Sequence, residues 1–144
     1  MNNKTIVIRC RGIIIHNDKL LVVKHSESAN YYALPGGHLD WGENVRDCMK
    51  REIIEELGIT PEIGKLLYVH NFIDKNNKQS IEFYFEITNS ADYLEIGKLD
   101  NGTHRHELAE IYWLDKNDIK ILKPQELQAD LNNGNILSDI VRFN

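Results

Sequence analysis

Residues 37–59 read GHLDWGENVRDCMKREIIEELGI, and the run 44–57 within that stretch decides the fold. It contains neither Pro nor Gly, is rich in strong helix formers, and is bracketed by Gly42 and Gly58, so it predicts a helix of about four turns. Asn44 suits the N-cap, with Asp47 in the first turn, and Gly58 suits the left-handed position past the C-terminus, where Thr60-Pro61 bars continuation. At roughly 100° per residue, Glu52, Glu55 and Glu56 share one face of this helix. Ile53, Ile54 and Leu57 project from the other side and are expected to anchor the helix against a sheet.

Three anions at i, i+3 and i+4 repel one another and destabilise an isolated helix, unless a cation occupies the face. Carboxylate oxygens suit hard divalent ions, Mg²⁺ or Mn²⁺, which in turn suit phosphoanhydride chemistry. A Glu-rich helix face is more often merely solvated. Here it stands beside Leu34-Pro35-Gly36-Gly37, whose paired glycines let the backbone turn sharply and present carbonyls and N–H groups to a ligand.

The spacing Gly37, five residues, Glu43, seven residues, Arg51-Glu52-Ile53-x-Glu55-Glu56-x-Gly58-Ile59 resembles the signature of the Nudix hydrolases of MutT-like type, with every fixed position filled. A chance match in a chain of this size is on the order of 10⁻⁷ or rarer. Tyr32-Ala33-Leu34-Pro35-Gly36-Gly37 is similar to the lead-in common in that family. The resemblance implies an α/β fold, the Nudix-type α/β/α sandwich with a mixed β-sheet, over a single domain 1–144. It also implies hydrolysis of a nucleoside diphosphate linked to another moiety (a nucleoside triphosphate, ADP-ribose or a nucleotide sugar) by metal-activated water. Position by position, it makes Glu52, Glu55 and Glu56 metal-binding carboxylates and the Gly36 carbonyl a backbone ligand. Glu43 becomes a supporting contact, and Arg51 the residue that orients a catalytic carboxylate. Members of the family take the general base either from the signature or from a later loop, which leaves Glu55 and Glu107 as alternatives, with Glu110 a lesser one.

Strands are expected at 5–15 and 19–25, around the turn His16-Asn17-Asp18, and at 62–73 and 78–88 around Asp74-Lys75-Asn76-Asn77. Ile81, Phe83, Phe85 and Ile87 alternate with polar neighbours along the last of these. Residues 109–114 read as a further strand, and Pro124 to Leu131 as a short helix with Leu127 and Leu131 on one side. Residues 89–103 read as a long loop.

Substrate contacts are sought among Arg9 and Arg11, which share one strand face and are able to fork onto phosphate oxygens, although they would equally serve to cap an exposed edge. Tyr31, Tyr32, Trp41, Phe83 and Tyr84 are candidates to stack on a base, against the commoner role of aromatic residues in the core. His104 and His106 flank Arg105 in the long loop, where exposed histidines commonly do nothing.

The 144 residues are 42% hydrophobic and 27% charged, with a formal net charge of −5, enough for one sizeable core and unsuited to binding a long nucleic acid. The expected partner is a small nucleotide derivative, with the chain a monomer or homodimer. The apolar runs 13–15 and 20–23 are too short to span a bilayer, and the N-terminus lacks a signal-peptide core, so a cytoplasmic location without membrane contact is expected. Cys10 and Cys48 are too few for a disulfide framework, and no zinc spacing or nucleophilic triad is present. A nucleotide-sensing or binding domain of the same fold, without turnover, is the alternative function; the intact acidic set speaks against it.

Overall fold

The computed structural model describes residues 4–98, 107–118 and 120–143. Among them are eight strands and two α-helices: β1 (Ile6–Ile13), β2 (Ile15–His16), β3 (Lys19–Lys24), β4 (Gly36–His38), α1 (Val45–Leu57), β5 (Ile63–Ile73), β6 (Gln79–Ile87), β7 (Glu110–Leu114), α2 (Gln125–Asn133) and β8 (Arg142–Phe143). The larger sheet has the order β4-β1-β6-β5-β8 and is mixed: β1 runs antiparallel to β4 and parallel to β6, and β5 runs antiparallel to β6 and parallel to β8. The smaller sheet, β2-β3-β7, is antiparallel. No helix among the described residues is long and apolar enough to cross a membrane.

Local signals set most elements as expected. Asn44 caps α1 by accepting the Asp47 N–H, and Gly58 closes the helix at φ 73°. The β5–β6 hairpin turns on Asp74, whose side chain accepts from the Asn76 and Lys78 N–H groups. Pro124 stands at the N-cap of α2, so the helix itself starts one residue later, and Leu127 and Leu131 are both buried.

Three expectations need correction. The run 5–15 is not one strand: the chain leaves the larger sheet after Ile13 and joins the smaller one at Ile15, so the hairpin at Asn17-Asp18 belongs to β2–β3 while β1 lies between β4 and β6. Both hairpin residues take positive φ, 48° and 61°. On α1, Ile53 and Leu57 are buried but Ile54 is 37% exposed, because Glu56 takes the inward position instead. The segment after β6 forms 3-10 turns at Ser90–Tyr93 and Ile96–Lys98 that bury Tyr93 and Ile96; His104, Arg105 and His106 lie outside the described residues.

Two apolar clusters complete the α/β/α sandwich. One joins Cys48, Met49, Ile53 and Leu57 of α1 to Cys10, Leu21, Val23, Phe85 and Ile87 of the strands, and the other joins Leu127 and Leu131 of α2 to Ile13, Leu20, Val22, Tyr68 and Tyr84. Burying about a dozen such side chains on each side supplies the main driving force. Cys10 and Cys48 are free and buried, as anticipated.

One contact fixes the Gly36-Gly37 segment to the sheet. Gly36 has φ +144°, and a Cβ there would lie 1.9 Å from the Cys10 carbonyl oxygen, so the β1–β4 pairing closes only because glycine has no side chain. Gly36→Ala is therefore expected to cost about 3 kcal/mol or more. Thermal unfolding followed by circular dichroism checks this, and an unchanged midpoint contradicts it.

Candidate active site

The acidic face of α1 is organised by Arg51. Its Nε donates to Glu43 Oε1 at 2.8 Å and its Nη2 to Glu43 Oε2 at 3.0 Å, a bidentate pair. Nη1 donates to Glu52 at 2.9 Å and to Glu55 at 3.2 Å, while Nη2 also reaches the His38 carbonyl at 3.0 Å. One guanidinium thus hydrogen-bonds three carboxylates and the strand that precedes the helix, and its Nη2 also lies 3.4 Å from the Asp40 carboxylate. The hydrogen bond from Arg51 holds the Glu43 carboxyl below the usual carboxylate range, and the same contacts hold Arg51 above its own ordinary value. Glu43 also accepts the Asp40 N–H, which leaves it braced as a support.

Glu56 is treated differently. It is 7% exposed and accepts the Gly36 N–H at 3.2 Å. Burial pushes its pKa up to about 8; the Gly36 N–H and the Arg11 charge oppose the rise, and Glu52 and Glu107 add to it. Glu107 is exposed, and its charge also acts on His25, whose pKa is lowered by burial and by Arg11 and Arg9. Glu107 is therefore near Glu56 and His25, whereas Glu110 accepts from the Tyr32 hydroxyl at 2.7 Å and is tied up away from α1.

On the opposite side of the larger sheet lies a cavity of about 700 Å³, within the range of small-molecule sites. Arg9 and Arg11 both line it. They flank the buried Glu82 at 3.7 and 3.3 Å, so they do not cap an edge; they lie on an interior strand and neutralise an interior carboxylate. Arg11 also donates to the Leu34 carbonyl at 3.2 Å and the Gly36 carbonyl at 3.4 Å. It is the link between the cavity and the glycine turn beside α1.

The aromatic candidates sort by strand face. Phe83 packs against the α1-side cluster and Tyr32 is 6% exposed in the α2-side core, and neither is among the residues that line the cavity. Tyr31, Tyr84, Phe72 and His70 line it instead, and Trp41 is fully exposed. His25, His70, Ser80 and Glu82 escaped sequence reasoning. Ser80 and Glu82 are the polar neighbours in the β6 alternation, and their place on an interior strand was the available signal.

The residues fit a hard divalent ion in donor type. All the candidate donors are oxygens. A Cβ on Gly37 would lie 2.5 Å from the Glu52 carboxylate, so that group occupies space only glycine leaves free. Among the described residues no three His, Cys, Asp or Glu side chains are already gathered around a common point, since Arg51 draws Glu52 and Glu55 to itself.

Comparisons with known proteins identify the family and the fold. The NUDIX domain profile matches residues 8–137. An ADP-ribose pyrophosphatase of Methanocaldococcus jannaschii is 29% identical over 111 residues, which cover 67% of this chain and 66% of that protein, just under two thirds of its length. An uncharacterised Nudix hydrolase of Bacillus subtilis is 26% identical over 138 residues, covering 96% of this chain and 82% of that one. The crystal structure of a MutT Nudix hydrolase from Burkholderia pseudomallei superposes with a TM-score of 0.69 at 23% identity, over 90% of this chain and 98% of that one, a likeness of fold.

Arg51→Lys replaces a fork of donors by a single ammonium and cannot serve Glu43 twice. It is expected to lower the unfolding midpoint by about 3–6 °C, from a loss of about 1–2 kcal/mol; an unchanged melt contradicts the role of Arg51 as organiser. Glu56 gives a pH signature in chelator. Because the folded state holds a proton that the unfolded chain releases, raising pH from the ordinary 4.5 towards about 8 erodes the contribution of this group to stability. Thermal melts from pH 5 to 8 should fall more steeply for the wild type than for Glu56→Gln, and parallel curves would refute the buried protonated carboxyl.

Proposed function

We propose, from the premise that the chain belongs to the Nudix family, that it is a divalent-cation-dependent pyrophosphohydrolase of small nucleotide derivatives. In the proposed reaction a water oxygen attacks one phosphorus of the diphosphate, the bridging P–O bond breaks, and a nucleoside monophosphate leaves beside a second phosphorylated product. Among nucleoside triphosphates, nucleotide sugars and ADP-ribose, ADP-ribose stands first, because a relative 29% identical to this chain is an ADP-ribose pyrophosphatase. The observation that carries the proposal is the single guanidinium that aligns Glu43, Glu52 and Glu55 beside the buried Glu56. Solvated surface glutamates have no need of such bracing.

Each residue has a distinct task. Arg51 fixes the carboxylates so that none has to be ordered as the substrate arrives, which is electrostatic preorganisation. Glu55, 24% exposed and bonded by Arg51 at Oε2, is the leading acceptor for the proton of the attacking water, and Glu107 is the loop alternative. Arg9 and Arg11 supply donors for phosphate oxygens at the cavity end nearest the glycine turn. Glu52, Glu55, Glu56 and the Gly36 carbonyl would hold Mg²⁺ or Mn²⁺, with Glu43 in support, and the ion would neutralise the diphosphate and lower the pKa of water. The intact acidic set favours turnover over a sensing role.

Purified protein incubated with Mg²⁺ or Mn²⁺ and a panel of ADP-ribose, nucleotide sugars and nucleoside triphosphates should release monophosphate from at least one. Binding without release would instead support a sensor. Glu55→Gln is expected to lower kcat by about 10²- to 10⁴-fold without a change in melting. A near-normal rate, together with a comparable loss in Glu107→Gln, would move the base to the loop.

A further inference from the structure

A second cavity, of about 400 Å³, adjoins the first, and Lys123 and Gln125 line both. One wall is the segment that links β7 to α2, which contributes Lys116, Asp118, Lys120 and Lys123. The other is a face of α2 on which Gln125, Gln128 and Asn132 recur at spacings of three and four. The same helix turns Leu127 and Leu131 into the core, so these carboxamides lie on its other side. No residue of α1 or of the larger sheet lines this cavity.

The charges of this lining do not balance. It holds three lysines and one acid, in a chain whose formal net charge is −5. The acid is already engaged, since Asp118 accepts the Tyr112 hydroxyl at 2.7 Å. Where a solvated helix face would set Glu or Asp opposite lysines, α2 offers carboxamides. Gln128 donates to the Asn132 side-chain oxygen at 3.1 Å, which leaves the Asn132 amino group as a donor. Lys120 is held in place by aromatic groups: its Nζ donates to the Tyr32 hydroxyl at 3.1 Å and lies 4.4 Å from the Tyr112 ring centre and 5.1 Å from that of Tyr32. Its ion pair with Glu110 is long, 4.0 Å, and Glu110 also takes the Tyr32 hydroxyl at 2.7 Å. Lys123 lies over the Tyr31 ring at 4.5 Å. Rings position these two ammonium groups without neutralising them. Like charges gathered round one cavity repel, and a compact anion of more than one charge offsets that repulsion.

We propose that this second cavity binds a terminal phosphate of a nucleotide seated in the first, with Lys116, Lys120 and Lys123 neutralising the dianion and the carboxamides of α2 donating to its oxygens. The assignment rests on the proposed function for the nucleotide part of the ligand and adds a preference for nucleotides that carry a further phosphate. Lys123 and Gln125, common to both cavities, form the passage between them. Two placements supply the same chemistry: a phosphate on the ribose 3′ oxygen, and the end of a polyphosphate chain. Each presents a compact dianion, which neither a sugar nor a base does. Ammonium and amide donors suffice for it, so this site needs no metal and acts apart from the carboxylates of α1.

Calorimetric titration of the full chain, in chelator and at low salt, with AMP, ATP and adenosine 3′,5′-bisphosphate tests this without turnover. At least one of the two ligands with further phosphate should bind about tenfold more tightly than AMP, and the advantage should shrink as salt rises. Lys116→Glu combined with Asn132→Asp should remove it, because both residues are exposed and line only the second cavity. The affinity of that variant for AMP should stay within about twofold of the wild type, since the change lies outside the first cavity. Lys19→Glu, on an exposed residue that lines neither cavity, should keep the advantage. A gain confined to the bisphosphate puts the group on the ribose, a gain confined to ATP puts it at the chain end, and either upholds the site. Equal binding of all three ligands, or an advantage that the double variant retains, overturns it. A preference lost in the double variant, in a protein that releases no monophosphate from any diphosphate substrate, would sink the reaction and leave the phosphate site standing; release of monophosphate without that preference would do the reverse.

Discussion

Arg51 sits where a helix face would otherwise repel itself. Glu43 approaches from the preceding loop while Glu52 and Glu55 stand on α1, and all three bond one guanidinium. A planar group with donors along two edges can do this, whereas a point charge cannot. Glu56 makes no bond to Arg51 and is accommodated by burial and by the Gly36 N–H. Two different solutions to like-charge repulsion therefore operate within one turn of helix, one by internal counter-charge and one by a raised proton affinity. Of these groups, Glu56 bonds the Gly36 N–H and Glu52 lies against Gly37.

That arrangement depends on how closely the turn approaches the sheet. Gly36 presses against the Cys10 carbonyl and Gly37 against the Glu52 carboxylate, so the same two residues seal β4 to β1 and leave room for an acidic side chain. The buried Cys48 adds to this seam by donating to the His38 carbonyl at 3.4 Å. Packing and function are thus joined in the backbone: any side chain at 36 or 37 would displace either the strand or the carboxylate.

Much of this was legible because the signals are local. The caps of α1, its acidic face, the β5–β6 hairpin and the buried Leu127 and Leu131 follow from residues a few positions apart. What was not legible depends on long-range pairing. Nothing local marks Ile14 as the place where the chain changes sheets, since the β-branched run continues through it. Gly36–His38 looks like a loop, because glycine has low strand propensity, and becomes a strand only by pairing with β1. In β6 the alternation was visible, but not that its polar side faces a cavity, so Phe83 stood out in the sequence while Phe72 and Ser80 carry the wall. Ile54 and Glu56 exchange expected places for a similar reason: a glutamate is turned inward once an N–H of a distant turn receives it.

The two halves of the site meet at Arg11. Its guanidinium lies among groups of both kinds: Glu82 and the cavity on one side, the Leu34 and Gly36 carbonyls on the other, with its charge felt by Glu56. Carbonyl oxygens and a carboxylate satisfy it only in part at 3.2 to 3.4 Å. A phosphate oxygen brings a full negative charge and a geometry that matches the planar fork, so it competes well for the same donors. Displacement of the guanidinium from Gly36 towards such an oxygen would free the Gly36 carbonyl in the turn whose N–H bonds Glu56.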